Sequence, residues 1–458
     1  MTRRAFLRRG AVASLLVVPW LIPSCARKPA VALGERVNLG LIGCGTMGGM
    51  HLHFLAGHQQ AQLVAVCDVD DLRREQAVRE ANAISAARRG RARFRHCVGI
   101  KDYRDLLARP DIDAVVIVTP DHWHSLLAMH AAQAGKDIYC EKPVSLTIRE
   151  GREMVSTIRR YARVFQTGSQ YRSIPALRQV CQFVRAGGLG KVKSVFTHWL
   201  KADVPTVGQS DIPLDPALPA EPAPKGLDWN RWVGPASWRP YNPAYHQNPS
   251  PEAVPWRFCD AFGAGTVTVC HSHSADIIQY AIGMETSGPV EIIHPSSGQF
   301  PTLTCRYANH VLLHHVGSWE QAKQFYKAVP DPAQLSGLFF GGLFVGERGW
   351  ITCLASIFGG GRVEGGPESI LREVGLTTRE VNVGANNHHA NWFECLRSRS
   401  LPSSHEEIGH RSASLGHLVA LSYQLQRSLR WDPAQEAFLG DDEANRLLSR
   451  AYREPWLP

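Results

Sequence analysis

The run Val37-Asn38-Leu39-Gly40-Leu41-Ile42, followed at once by Gly43-Cys44-Gly45-Thr46-Met47-Gly48, constrains the fold more than any other stretch of the chain. A β-rich run that meets three glycines spaced G-x-G-x-x-G must turn tightly and open a helix. In that arrangement Gly43 permits the turn, Gly45 lets backbone approach a pyrophosphate, and Gly48 lets the helix lie close to the strand. The amides at the helix start, those of Thr46 and Met47 among them, face the phosphates as donors and as the positive end of the helix dipole. A second apolar run, Leu63 to Cys67, ends in Asp68, at the interval from the glycines where a carboxylate accepts hydrogen bonds from a ribose diol. A glycine-rich turn without a ligand is the plainer alternative; the strand before, the helix after and the acid at Asp68 favour a dinucleotide. The charge of Asp68 repels a 2′-phosphate and so favours NAD. Arg73 and Arg74 just beyond it could receive such a phosphate, which leaves NADP open, although surface solvation suits them equally.

Further along, Ala114 to Val118 is apolar and ends in Thr119-Pro120, His124 to Ala134 reads as a helix, and Asp137 to Cys140 as a short strand. Strands alternating with helices predict an α/β fold, a doubly wound parallel sheet of Rossmann type over residues 35–155. Beyond about residue 150 the character changes. β-like stretches occur at Val192 to Leu200 and His310 to Gly317, a proline-rich loop runs from Val204 to Pro224, and a tryptophan-rich segment follows. His405 to Leu429 is helix-like and is expected to pack back onto the sheet. Residues 156–458 therefore read as a second, mixed α/β domain.

Residues 1–30 read as an address. Arg3-Arg4 precede Phe6-Leu7, and an apolar run from Ala11 to Pro23 follows, too short and too interrupted by Pro19 and Pro23 for a comfortable membrane span. The pair resembles the twin-arginine export signal. That resemblance implies passage through the twin-arginine machinery in a folded state, often with a cofactor inside, to a periplasmic or other extracytoplasmic location. Cys25 could carry a lipid, but the residues before it make a poor lipobox and simple cleavage nearby serves as well. The net charge of +9 includes leader arginines and forms no long basic block, so surface charge explains it better than nucleic acid does. The eleven cysteines are scattered without a CxxC pair, and Cys44, Cys67 and Cys140 fall in apolar runs as small buried thiols.

With Thr119-Pro120, His124 and Glu141-Lys142-Pro143, the chain resembles the glucose–fructose oxidoreductase / inositol dehydrogenase (Gfo/Idh/MocA) family from about Arg36 to its end. Gln166-Thr167-Gly168-Ser169-Gln170-Tyr171-Arg172, Gly263-Ala264-Gly265 and His273-Ser274-Ala275-Asp276 are further matches. The resemblance implies a large, mostly antiparallel open sheet in the second domain and homo-oligomers formed through a sheet face. It places Thr119, Pro120, His124 and Glu141 at the cofactor. Lys142 would point at substrate and nicotinamide and stabilise the reacting oxygen, and His273 would take the hydroxyl proton. The aspartate that the family carries four residues before this histidine is Val269 here, which cannot bind a hydroxyl; His271 could substitute. His271 and His273 would share one face if they lay on a strand, but an HxH pair without a third ligand is weak, and no metal is assigned. Asp276 reads as a structural partner of a helix start. Arg172, His271 and His388 are candidate substrate contacts, although His388-His389 ahead of Asn391 and Trp392 is an equally good capped helix start. Trp229, Trp232, Trp238 and Tyr241 could face a sugar, yet packing suits most of them better.

The reaction implied is hydride transfer between a tightly bound nicotinamide cofactor and a sugar or polyol hydroxyl. Free cofactor is scarce outside the cytoplasm, so an exported enzyme must retain and recycle its own. Two alternatives stand beside it. One is an NAD-dependent glycosidase working by transient oxidation and elimination. The other is a non-catalytic carbohydrate-binding protein on the same scaffold, a reading that the Val269 departure invites.

Overall fold

The computed structural model describes residues 36–89, 96–198, 218–246, 255–336, 340–356, 360–385 and 387–458. The leader, Cys25 and most of the proline-rich loop lie outside them. The described residues belong to one compact unit, Val31–Pro458.

Six parallel strands form the first sheet: β1 (Val37–Ile42), β2 (Ala61–Cys67), β3 (Val98–Ile100), β4 (Ala114–Ile117), β5 (Asp137–Cys140) and β6 (Phe165–Thr167), in the order β3-β2-β1-β4-β5-β6. Helices cover both faces, so the central strands are mostly apolar instead of alternating; every residue of β2 and β4 is buried. Each fully buried Val or Ile adds roughly 1.5–3 kcal/mol of hydrophobic stabilisation. One face packs against helices His124–Gln133 and Ile148–Arg160. The other packs against helix Thr46–Gly57 and also receives Trp392, Phe393 and Leu396 of helix His388–Ser398, from far along the chain. The strand order reverses between β1 and β4. A ligand of such a sheet lies in the crevice outside the carboxyl ends of those two strands.

The second sheet has nine strands. They include β7 (Val192–His198), β8 (Pro289–Ile293), β9 (Thr304–Tyr307), β10 (Leu312–Val316), β11 (Phe340–Gly346) and β12 (Trp350–Ala355). The order is Gly365–Gly366, β12, β11, β7, β10, β9, β8, Leu429–Asp432, Ala437–Phe438, antiparallel throughout except for the parallel pair β7 and β10. Helices Pro175–Arg185, Gly265–Ala281 and Glu406–Leu425 bury one face of this sheet. On the opposite face Phe196, Leu343 and Leu354 pack against Trp319 and Ala322 of helix Trp319–Phe325. The α/β class, the parallel Rossmann sheet and the mostly antiparallel second sheet are as the sequence predicts. One local expectation changes: His271 and His273 lie on a helix, and two residues apart on a helix face away from each other. Asp276 likewise sits within this helix, well past its start.

Candidate active site

The phosphate turn is built by what its glycines exclude. Gly43 has φ +96°, and a Cβ there would lie 2.4 Å from the Val118 carbonyl oxygen. A Cβ on Gly48 would lie 2.1 Å from the Gly43 oxygen. These two positions are closed by the protein itself. Gly45 differs, for a Cβ on it would meet only Arg73 Nη1, at 3.8 Å. Gly45 is also the N-cap of helix Thr46–Gly57, which has no side-chain cap and no acidic residue in its first turn. An open surface beside an uncapped helix start fits a pyrophosphate.

Asp68 follows β2. Its Oδ2 accepts from the Cys44 amide (2.8 Å) and its Oδ1 from the Asp70 amide (2.9 Å), so the carboxylate braces the glycine turn. Burial raises its pKa, against the pull of those two amides. Arg74 donates to Asp71 (2.7 Å) and to the Asp68 carbonyl (2.9 Å), and Arg73 donates to the His246 carbonyl (2.7 Å). Beyond β4, the buried Thr119 Oγ1 has no hydrogen-bond partner among the described residues. Pro120 precedes the turn Asp121–Trp123 as its N-cap. His124 spends both ring nitrogens on backbone, with Nε2 2.8 Å from the Thr119 oxygen and Nδ1 2.7 Å from that of Pro143. It fastens the β4 loop to the Glu-Lys-Pro segment.

Glu141 is 5% exposed. Its Oε1 meets His51 Nε2 (3.0 Å) and Gln170 Nε2 (2.8 Å), and its Oε2 accepts from the Lys142 amide (3.2 Å). Burial disfavours its charge, but the His51 hydrogen bond and the His51 and Lys142 charges outweigh that and hold it below the usual carboxylate range. Lys142 Nζ donates to the carbonyl of Val269, 3.0 Å away. Where the family carries an aspartate, this chain therefore offers Lys142 a backbone oxygen.

One helical turn beyond Val269 on the same face, His273 is 4% exposed and stacks on Tyr171, with ring centroids 4.7 Å apart and planes at 17°. Burial, reinforced by the Lys142 charge, lowers its pKa to about 3, so the imidazole is neutral at working pH. Its Nδ1 is buried without a partner among the described residues. Lys142 and His273 are thus brought together. Asp121, which sequence reasoning passed over, holds this arrangement: its Oδ2 accepts from the Ala264 amide (3.0 Å) just ahead of the helix that carries His273.

The remaining candidates are engaged by other groups, although His388 is near enough to His273 for its charge to lower that imidazole's pKa. His271 points to the other side of the helix, with its ring 4.8 Å from that of His315. Arg172 is consumed by Asp276 (2.7 Å), Glu285 (2.7 Å) and the face of Tyr280. His388 is buried, with Nδ1 2.8 Å from Ser173 Oγ and Nε2 2.7 Å from the Thr167 oxygen. Trp229, Trp232 and Tyr241 pack into one aromatic cluster with Phe262, whereas Trp238 is exposed. His51, the partner of Glu141, was also missed; the available signal was a histidine inside the apolar run Met50-His51-Leu52.

Comparison with known proteins agrees with this geometry. Residues 37–169 match the model of the Gfo/Idh/MocA oxidoreductase family for its NAD-binding Rossmann fold, and residues 379–458 match the model for its C-terminal alpha/beta domain. Levoglucosan dehydrogenase of Pseudarthrobacter phenanthrenivorans is 33% identical over 160 residues, which is 35% of this chain and 40% of that protein. Glycosyl hydrolase family 109 protein 2 of Shewanella sp. (strain ANA-3) is 37% identical over 126 residues, 27% of this chain and 26% of that protein. The chain thus aligns with well under half the length of these curated relatives. The solved WlbA dehydrogenase of Bordetella pertussis, in complex with NADH and UDP-GlcNAcA, shares the fold with a TM-score of 0.55 at 17% identity, over 87% of this chain and 99% of that one. The glycine turn, the Glu-Lys-Pro segment and two family models matched toward opposite ends of the sequence make the chain similar, over those two stretches, to the Gfo/Idh/MocA oxidoreductase family.

Proposed function

We propose that the chain is an NAD-dependent oxidoreductase that moves hydride between a nicotinamide cofactor and a hydroxyl-bearing carbon of a sugar or polyol. The observation that carries this reading is the open, uncapped turn at Gly45 at one end of the crevice, with the Lys142 and His273 pair beyond its other side. Gly43, Gly45, the amides of Thr46 and Met47, Asp68 and Thr119 would hold the dinucleotide. NAD, when bound, supplies the hydride acceptor. His273, whose Nδ1 is unpartnered among the described residues, would accept the proton of the substrate hydroxyl. The Lys142 ammonium stabilises the oxygen whose charge grows as that proton leaves. Val269 lends its carbonyl to aim the ammonium, and His51 and Gln170 fix Glu141 behind it.

Asp68 at the ribose position, together with the engagement of Arg73 and Arg74 by other groups, supports NAD over NADP. The levoglucosan dehydrogenase relative supports a carbohydrate substrate. The twin-arginine leader supports export and, with it, a tightly held cofactor; the family resemblance supports a homo-oligomer. The test is to purify the exported form, identify its nucleotide by mass, and screen sugars and polyols for a change in reduced-nicotinamide absorbance. A preparation that binds NAD but reduces it with no member of a broad polyol and aldose panel counts against the substrate class.

Likeness to a glycosyl hydrolase family 109 protein supports a second reading, in which the same pair serves a redox-neutral cleavage of glycosides. Release of nitrophenol from a panel of p-nitrophenyl glycosides, without net change in the cofactor, would select it over net oxidation.

A further inference from the structure

The crevice opens at the carboxyl ends of β1, β2 and β4, and a segment from the second half of the chain, Gly226 to His246, is fastened on both sides of β1. Beyond β2, the Asp71 amide donates to the Gly226 carbonyl (3.1 Å) and the Asp228 amide to that of Val69 (3.1 Å), which makes Asp70 and Leu227 an antiparallel bridge. Beyond β4, the Trp232 carbonyl accepts from Trp123 Nε1 (3.0 Å) and lies 3.0 Å from His122 Nε2. A third tie returns to the β2 side: Arg73 Nη2 donates to the His246 carbonyl (2.7 Å), and His246 Nε2 lies 3.2 Å from Asp70 Oδ2. The other terminal nitrogen of the same guanidinium, Nη1, faces the open surface at Gly45.

The segment is packed around its own aromatic core. Trp229, Trp232, Tyr241 and Tyr245 form a core of their own with Phe262, edged by Val69 and Leu227. Two of its buried polar atoms, His246 Nδ1 and the Tyr241 hydroxyl, have no hydrogen-bond partner among the described residues. Their side chains are 6% and 5% exposed, so water does not readily serve them.

We propose that Gly226–His246 is a latch over the adenosine half of the bound dinucleotide, with Arg73 joining latch and phosphate turn. Nucleotide then leaves only when the Asp70–Leu227 bridge and the Arg73–His246 tie open together. This rests on the dinucleotide reading above and supplies the means of retention that an exported, self-recycling enzyme needs.

Asp70 and Leu227 are a non-hydrogen-bonded antiparallel pair, whose Cα atoms lie about 4.5 Å apart, within the range of about 4.4–6.8 Å that a disulfide spans. The test is the double variant Asp70→Cys/Leu227→Cys, loaded with NADH while reduced and then cross-linked with oxidised glutathione. Release into excess NAD is followed by loss of energy transfer from tryptophan. The cross-linked protein is expected to release NADH at least ten times more slowly than the same protein in dithiothreitol, with wild type indifferent to either reagent. A second variant, Asp228→Pro, suits the local φ of −83° and deletes the amide that donates to Val69. It also removes the Asp228 carboxylate, which caps helix Trp229–Val233 at the Arg231 amide and pairs with the Arg231 guanidinium, so NADH should leave at least about fivefold faster, the factor that one net hydrogen bond supports. Equal rates in the oxidised and reduced double variant, a pair that cannot be cross-linked, or a wild-type rate in Asp228→Pro would each overturn the latch while leaving dinucleotide binding intact. Wild-type protein that binds no NADH would overturn both.

Discussion

Replacing Gly45 and Gly48 of the turn one at a time should separate folding from cofactor binding. Gly45→Ala adds a methyl group that meets nothing closer than 3.8 Å, at a residue whose φ is −73°. Alanine is a poorer N-cap than glycine by about 0.5–1 kcal/mol, and it recovers about 0.4–1 kcal/mol through the unfolded chain, so stability should change by no more than about 0.5 kcal/mol. That methyl group nevertheless occupies the surface the pyrophosphate would approach. Losing one amide contact to a charged oxygen costs about 1.5–3 kcal/mol, or roughly 10- to 100-fold in Kd. Gly48→Ala reverses the pattern. Its methyl group would sit 2.1 Å from a backbone oxygen, which cannot swing aside as a side chain would. Overpacking of that kind costs about 1–3 kcal/mol and should lower Tm by several degrees. Thermal melts without nucleotide, paired with NADH titrations read by tryptophan quenching, measure both. Gly45→Ala that binds NADH as wild type does, or that melts as early as Gly48→Ala, would refute the assignment of Gly45 as the ligand-facing glycine.

Three further outcomes are expected. Lys142→Met should abolish turnover while NAD stays bound, as steady-state assay and equilibrium dialysis would show; retained turnover would remove Lys142 from the chemistry. Burial lowers His273 to a pKa of about 3 and His271 and His388 to about 4, against 6.5 in the unfolded chain. Below pH 6.5 the unfolded state binds the extra protons, so their stabilisation is complete above that pH and is lost as pH falls toward 4, at up to about 1.4 kcal/mol per pH unit for each histidine. A Tm that stays flat from pH 7 to pH 5 would contradict their burial. Arg172→Ala leaves the buried Asp276 uncompensated, while Glu285 keeps Arg185, and should cost about 3–5 kcal/mol in a denaturant titration, with NADH affinity per folded molecule unchanged.

The nucleotide end of this molecule was legible because its signals are local. A glycine turn between strand and helix, and an acid closing the next strand, are fixed by residues within thirty positions of one another. The wholly apolar runs Leu63–Cys67 and Ala114–Ile117 carry the parallel sheet in the same way. The other end depends on contacts far apart in sequence. Nothing near Arg172 announces that Asp276 and Glu285 will consume it, and nothing near His388 announces Ser173 and the Thr167 carbonyl. The loss of the aspartate at Val269 was visible as a departure, but its consequence was not, because the replacement acceptor for Lys142 is the backbone of that same residue. His271 was drawn toward the site by its spacing from His273, and helical geometry turns it toward His315. The tryptophan-rich segment was readable as packing, since its aromatic residues cluster, while its fastening to Asp70 and Arg73 is a matter of tertiary structure alone.

The proposed chemistry turns on a dinucleotide seated between the Gly43–Gly48 turn and the Lys142 ammonium. The most direct measurement is mass analysis of the nucleotide released from freshly purified protein, with calorimetric titration of the stripped protein by NAD. One NAD per chain, recovered on denaturation and rebound on titration, is the expected result. Neither NAD nor NADP in the denatured supernatant, together with no heat on adding either, would contradict it.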